Sequence, residues 1–155
     1  MKRIAIALLV VICGHIACMA QKGLAINRLF DGRYHKDSCA VETMVRGAAV
    51  QKYGLDLYRS VTITGRPSDA NEMVSLIRSD VKNAVDSEES YKDGKLYYGF
   101  YSLGGKSANR YILYLNQHVA EGDKIVLLYL EGDAGVKQVK RMLKKKKSVM
   151  NVDNF

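Results

Sequence analysis

His35 and Cys39 stand four residues apart in "HKDSC", with Asp37 between them. A thiol beside an imidazole is a pair that nucleophilic catalysis uses: the ring draws off the proton and a third group orients the ring. Asp37 is too close in sequence to guarantee that geometry, and no glycine-flanked elbow or protease signature surrounds the cysteine. The stronger expectation for Cys39 is a buried small hydrophobe. For metal ligation the candidates are His35, His118, Cys39 and scattered acids. They show no HExxH, no paired CxxC and no calcium-loop spacing, so the sequence implies neither a metal nor a cofactor. "EGD" occurs twice, at Glu121 to Asp123 and at Glu131 to Asp133. Paired carboxylates suit acid–base work, yet the first copy fits a hairpin turn and the second a helix cap. Phosphate-loop, dinucleotide and nucleophile-elbow motifs are absent. The expectation is a protein that is not an enzyme, with a small thiol enzyme built on Cys39 and His35 as the alternative.

Residues suited to binding are more numerous. Tyr97, Tyr98, Tyr101, Tyr111, Tyr114 and Tyr129 gather in three late segments. Such rings usually pack with the hydroxyl wet, but several on one open face would form a surface for a protein or a glycan. The absence of tryptophan weighs against the glycan. Tyr97, Tyr101 and Tyr114 are the candidates there. A second surface is the basic run "KQVKRMLKKKK", Lys137 to Lys147, with Lys140, Arg141, Lys144 and Lys145 as its candidates.

The elements that must position these residues follow from periodicity. "GLAINRLFDGRY" spaces Ile26, Leu29, Phe30 and Arg33 as a short amphipathic helix. "CAVETMVRG" alternates as a strand, with Val41, Thr43 and Val45 on one face and Glu42 and Arg46 on the wet one; "LYRSVTITG" is a second strand. "RPSDANEMVSLIRSDVKNAVD" is the clearest helix: Pro67 opens it, Ser68 or Asp69 caps it, and Ala70, Val74, Ile77, Val81 and Ala84 form its apolar stripe. "SEESYKDGK" reads as a loop with an Asp93-Gly94 turn. "KLYYGFYSL", "NRYILYLNQ" and "KIVLLYLEG" then follow as strands joined by short loops, which force antiparallel neighbours. The last two are apolar on both faces and need cover on both, from helices or from a second copy in a homodimer. "DAGVKQVKRML" closes as a helix capped by Asp133. The expected class is α+β, a mainly antiparallel five-stranded sheet with helices packed on it, in the order α-β-β-α-β-β-β-α.

Residues 1–20 have the parts of a secretory leader: Lys2 and Arg3, the apolar "IAIALLVVIC", then small residues before a cut. The apolar run is short of the roughly 20 residues that span a bilayer. Cleavage after Ala20 is favoured over lipid attachment at Cys18, because His15 stands where a lipoprotein signal has an aliphatic residue. The chain then divides into the leader (1–20), one α+β domain (21–147) and a frayed tail (148–155). Its place is the periplasm or the cell exterior. Cleavage leaves Cys39 as the one cysteine, which rules out an intramolecular disulfide.

Charge narrows the partners. The formal net charge is +8, but seven bases lie in the acid-free run from Lys137 to Lys147. Outside it, the processed chain carries 15 bases against 16 acids. Nucleic-acid binding calls for bases spread over a folded face, so no nucleic acid is expected. The partners expected are an envelope protein or component, and an anionic membrane surface for the basic run, where each Lys adds about 1 kcal/mol.

Across "YKDGKLYYGFYSL", "NRYILYLN" and "KIVLLYLEGDAGVKQVKRML" the chain resembles uncharacterised small secreted α+β proteins of Bacteroidota-type gut bacteria, whose leaders often end in "AQ" as Ala20-Gln21 does. The resemblance implies an exported envelope protein with no assigned activity, and brings no functional residues with it.

Overall fold

The structure is a computed structural model that describes residues 23–119 and 122–150. Six strands form one sheet: β1 (Ala40–Arg46), β2 (Leu57–Thr64), β3 (Asp86–Lys92), β4 (Lys95–Ser102), β5 (Asn109–Val119) and β6 (Gly122–Gly132). Their order across the sheet is β1-β2-β6-β5-β4-β3, with every pairing antiparallel. The helices are α1 (Ala48–Gln51), α2 (Pro67–Asp80) and α3 (Val136–Met150), preceded by a 3-10 helix at Ala25–Leu29. The leader read at residues 1–20 lies outside the described residues.

The class is α+β, but the expected five strands and their order are corrected. "DSEESYK" is strand β3, not loop. Six of its seven residues are exposed, so no apolar alternation marks it. Backbone pairing to β4 and a two-residue turn create it instead. Asp93 (φ 51°) and Gly94 (φ 73°) both take the left-handed conformation that tight hairpins require. "AAVQ" adds the short helix α1 between β1 and β2. The expected N-terminal α-helix is the 3-10 helix, held at its start by the Asp80 carboxylate, which accepts the N–H groups of Ala25 (2.6 Å) and Ile26 (2.9 Å).

β5 and β6 are apolar on both faces and are covered on both. On one face α2 and the 3-10 helix bury Met73, Ile77, Ile26 and Leu29 against Val61, Ile112, Ile125 and Leu127. On the other, α3 sets Val139 on Phe100, Tyr111, Leu128 and Leu130, with Val136 and Leu143 half-buried beside it. Each large side chain so buried contributes about 1.5–3 kcal/mol.

Three details of the helices differ from the expectation. α2 ends at Asp80, so Val81 and Ala84 pack from beyond it, and its buried stripe is Ala70, Met73, Leu76 and Ile77. Its N-cap residue is Arg66, with Pro67 in the first turn; Asp69 pairs with Arg66 at 2.8 Å and makes no cap hydrogen bond. At the start of α3 the N–H groups of Gln138 and Val139 donate to the carbonyl of Gly135, two residues past Asp133.

β1 also departs from its expected facing. Glu42 is the half-buried side, 3.3 Å from Arg59, whereas Val41 is 64% exposed. The core beneath α3 reaches β1 only at Val45, so β1 has no dry face of its own.

Candidate functional site

A β-bulge shapes the first concavity. β3 and β4 pair Ser90 with Tyr98 and then Tyr91 with Leu96, which leaves Tyr97 as the extra residue. The bulge shifts the alternation of β4, so that Leu96 joins Tyr101 in the core beneath α2. Opposite them α2 presents Ala70, Val74 and Arg78 in one row and Asn71 and Ser75 in the next, each four residues apart. Between helix and hairpin lies a groove of about 370 Å³, floored by Tyr114 and Asn116 and rimmed by Arg78, Tyr91 and Lys95.

One wall of this groove is an ion-pair network. The Arg78 guanidinium donates Nη1 to Glu89 Oε1 and Nη2 to Oε2 (3.2 Å), and Nη2 also donates to the Tyr91 hydroxyl (2.6 Å). The Tyr91 hydroxyl donates to Glu89 Oε2 (2.5 Å), and Tyr101 donates to Oε1 (2.6 Å). With so many donors, Arg78 first among them, Glu89 is held down to about 2. Burial raises Tyr101, and the bond to Glu89 raises it further. Burial lifts Tyr114 to about 12. These groups stay in one protonation state near neutral pH, so the network is a fixed wall. The Tyr91 ring, 56% exposed, faces outward from it.

Gly99 is what lets Tyr101 reach Glu89. A Cβ there would lie 2.6–2.9 Å from the Tyr101 ring and hydroxyl, so the tyrosine folds back across bare backbone.

Of the residues singled out in sequence, Tyr101 and Tyr114 are buried, and Tyr97 is half-buried at the bulge. Tyr111 and Tyr129 are buried too: one hydroxyl donates to the Ala134 carbonyl (2.6 Å), the other to Glu131 Oε2 (2.7 Å). Four of the six clustered tyrosines are therefore core, and Tyr97 and Tyr98 are half-buried. Lys140 is spent on β3, at 2.9 Å from Asp86 and 2.6 Å from Glu88, with its ammonium 5.0 Å from the Phe100 ring centre. Arg141, Lys144 and Lys145 are exposed on α3.

A second concavity, about 440 Å³, lies between the turn at residues 32–37 and β1, with His35, Asp37, Glu42 and Met44 in its lining. Cys39 is exposed, which corrects the expected buried thiol. It sits in the turn before β1, where its N–H donates to Asp37 Oδ1 (2.9 Å) and its side chain lies outside both cores. Among the described residues, no group of three or more His, Cys, Asp or Glu is placed to hold a metal ion. No described helix is long and apolar enough to cross a membrane.

A sequence profile described as Family of unknown function (DUF6108) matches residues 13–143. The chain belongs to that family. The DUF6108 match contains both concavities and both outer strands, and it ends within α3 at Leu143. No curated protein matches the chain.

No motif in the sequence marks Arg78, Glu89 or Tyr91. The one signal that pointed their way was Asp93-Gly94: a two-residue hairpin turn implies a strand before it as well as after, which would have placed Glu89 and Tyr91 on alternate positions of one face.

Proposed function

We propose that this DUF6108 protein is an exported binding module whose ligand is a polar, acid-bearing peptide segment of an envelope protein, held in the groove between α2 and the β3–β4 hairpin. The observation that carries the reading is the groove's lining. The outward Tyr91 ring offers a stacking surface, the Asn71 and Asn116 amides suit peptide groups, and Lys95 supplies a cation at the mouth. The Arg78–Glu89 pair keeps the wall in place before a ligand arrives, which lowers the ordering cost of binding. Export rests on the leader pattern of residues 1–20.

A photo-crosslinking residue at Tyr91, in the native cells, tests this directly. A discrete adduct in the envelope fraction is expected, lost on Lys95→Glu and absent when the probe sits at the distant exposed Lys106. Equal adducts from both positions would contradict the groove. The N-terminus of the recovered protein should be Gln21; an intact Met1 would contradict export.

The exposed Arg141, Lys144 and Lys145 favour a second contact, with an anionic membrane surface. Val136, Val139, Met142 and Leu143 of α3 are committed to the core, which leaves the contact through the exposed bases electrostatic and sensitive to salt.

A further inference from the structure

β1 is an outer strand, and its hydrogen-bonding phase can be read from its neighbours. The Thr64 N–H donates to the Cys39 carbonyl at 2.9 Å, so residue 39 faces β2. Antiparallel alternation then turns Val41, Thr43 and Val45 toward β2 and points the backbone groups of Ala40, Glu42, Met44 and Arg46 away from it. Ala40 agrees, its N–H donating outward to the Asp37 carbonyl at 3.2 Å. Glu42, Met44 and Arg46 therefore present an outward ladder to which an added strand must match even positions to even positions.

The side chains on that ladder are self-complementary. Glu42 and Arg46 flank Met44 at equal distance along the strand. A two-fold register centred on Met44 sets Glu42 opposite Arg46 of the second copy, twice, on one face. The same register sets Thr43 opposite Val45 of the second copy, twice, on the other face. The neighbouring register centred on Thr43 sets Glu42 against methionine, and the one centred on Glu42 sets carboxylate against carboxylate. Opposite charges across a strand pair contribute and like charges cost, each by about 0.2–1 kcal/mol, so charge selects the first register. Met44, 58% exposed, would be covered by the same contact.

We propose that β1 pairs antiparallel with β1 of a second copy, centred on Met44, so that two six-stranded sheets become one. The contact is an edge, at the small end of specific interfaces, and is tested at about 100 µM chain. The probe is the Gln21–Phe155 chain carrying Cys39→Ser, so that no disulfide can link copies, in sedimentation velocity. A dimer is expected. Arg46→Glu, at an exposed site, should weaken it about tenfold or more while leaving the thermal unfolding of the monomer in place. Glu42→Lys should also weaken it. An equal mixture of these two variants should form dimers that neither forms alone, because every opposed pair is then of opposite sign. A monomeric parent chain overturns self-pairing and leaves the edge to a strand of another protein. A dimer indifferent to Arg46→Glu, or a mixture that stays monomeric, overturns the register.

Discussion

The two outer strands of the sheet are managed in opposite ways. β3 carries Asp86, Glu88, Glu89 and Lys92 in seven residues and is held from both faces: Arg78 of α2 takes Glu89, and Lys140 of α3 takes Asp86 and Glu88. β1 pairs Glu42 with Arg59 and leaves Val41 and Met44 in water. An exposed strand edge is a template for another chain, and charge on the edge is one way proteins blunt it. β3 is blunted by charge and tied down. β1 keeps its capacity to pair. The difference separates two jobs that a single polar edge could not do: β3 supplies a fixed wall for the groove, and β1 is the edge on which the proposed self-pairing rests.

The largest effect is expected from untying β3 without touching its charges. Gly99→Val would place a branched side chain where the Tyr101 ring lies, expelling the ring and its bond to Glu89. Overpacking of this kind costs about 1–3 kcal/mol, and chemical denaturation should show a loss in the upper half of that range. β3 amides should lose hydrogen-exchange protection by a larger factor than β2 amides.

Removing the charge alone is milder. Glu89→Gln should cost about 1 kcal/mol near pH 7, since the pair is partly exposed and screened. Its pH signature sharpens the assignment. Glu89 is held at about 2 in the fold, against about 4.3 in an unfolded chain, so between those values the unfolded chain binds more protons. The contribution is whole above about pH 4.5 and fades as pH falls toward 2. The melting temperatures of parent and variant should therefore converge over that window, and a constant gap would assign the effect to packing. Lys140→Met, on the opposite face, should cost about 0.5 kcal/mol, because both carboxylates it meets are well exposed. Smallest of all, Val41→Thr on β1 should leave the stability of the isolated monomer within about 0.5 kcal/mol, measured by thermal melts at low concentration.

What was legible in the sequence followed apolar pattern. β4, β5, β6 and α2 stood out because their side chains are sorted by burial, and the need for cover on both faces of β5 and β6 is met by α2 and α3. β3 was not legible, because its order comes from backbone pairing and from charges whose partners, Arg78 and Lys140, sit on helices before and after it. The tyrosines were visible as a cluster, but whether a ring faces water depends on a helix laid across it. The groove was hidden for the same reason: its wall joins Arg78 to Glu89 across a helix end and a turn, and the bulge at Tyr97 has no marker of its own. Cys39 was misplaced because burial preference is a property of the residue type, whereas this cysteine sits in a polar turn outside both cores.

The most direct test of the contrast between the edges is residue-resolved amide exchange of the Gln21–Phe155 chain at rising concentration. The Glu42, Met44 and Arg46 amides should gain protection as concentration rises from about 5 to 500 µM, while those of β3 stay constant. Protection at β1 that ignores concentration, or a gain at β3 in its place, would contradict the account.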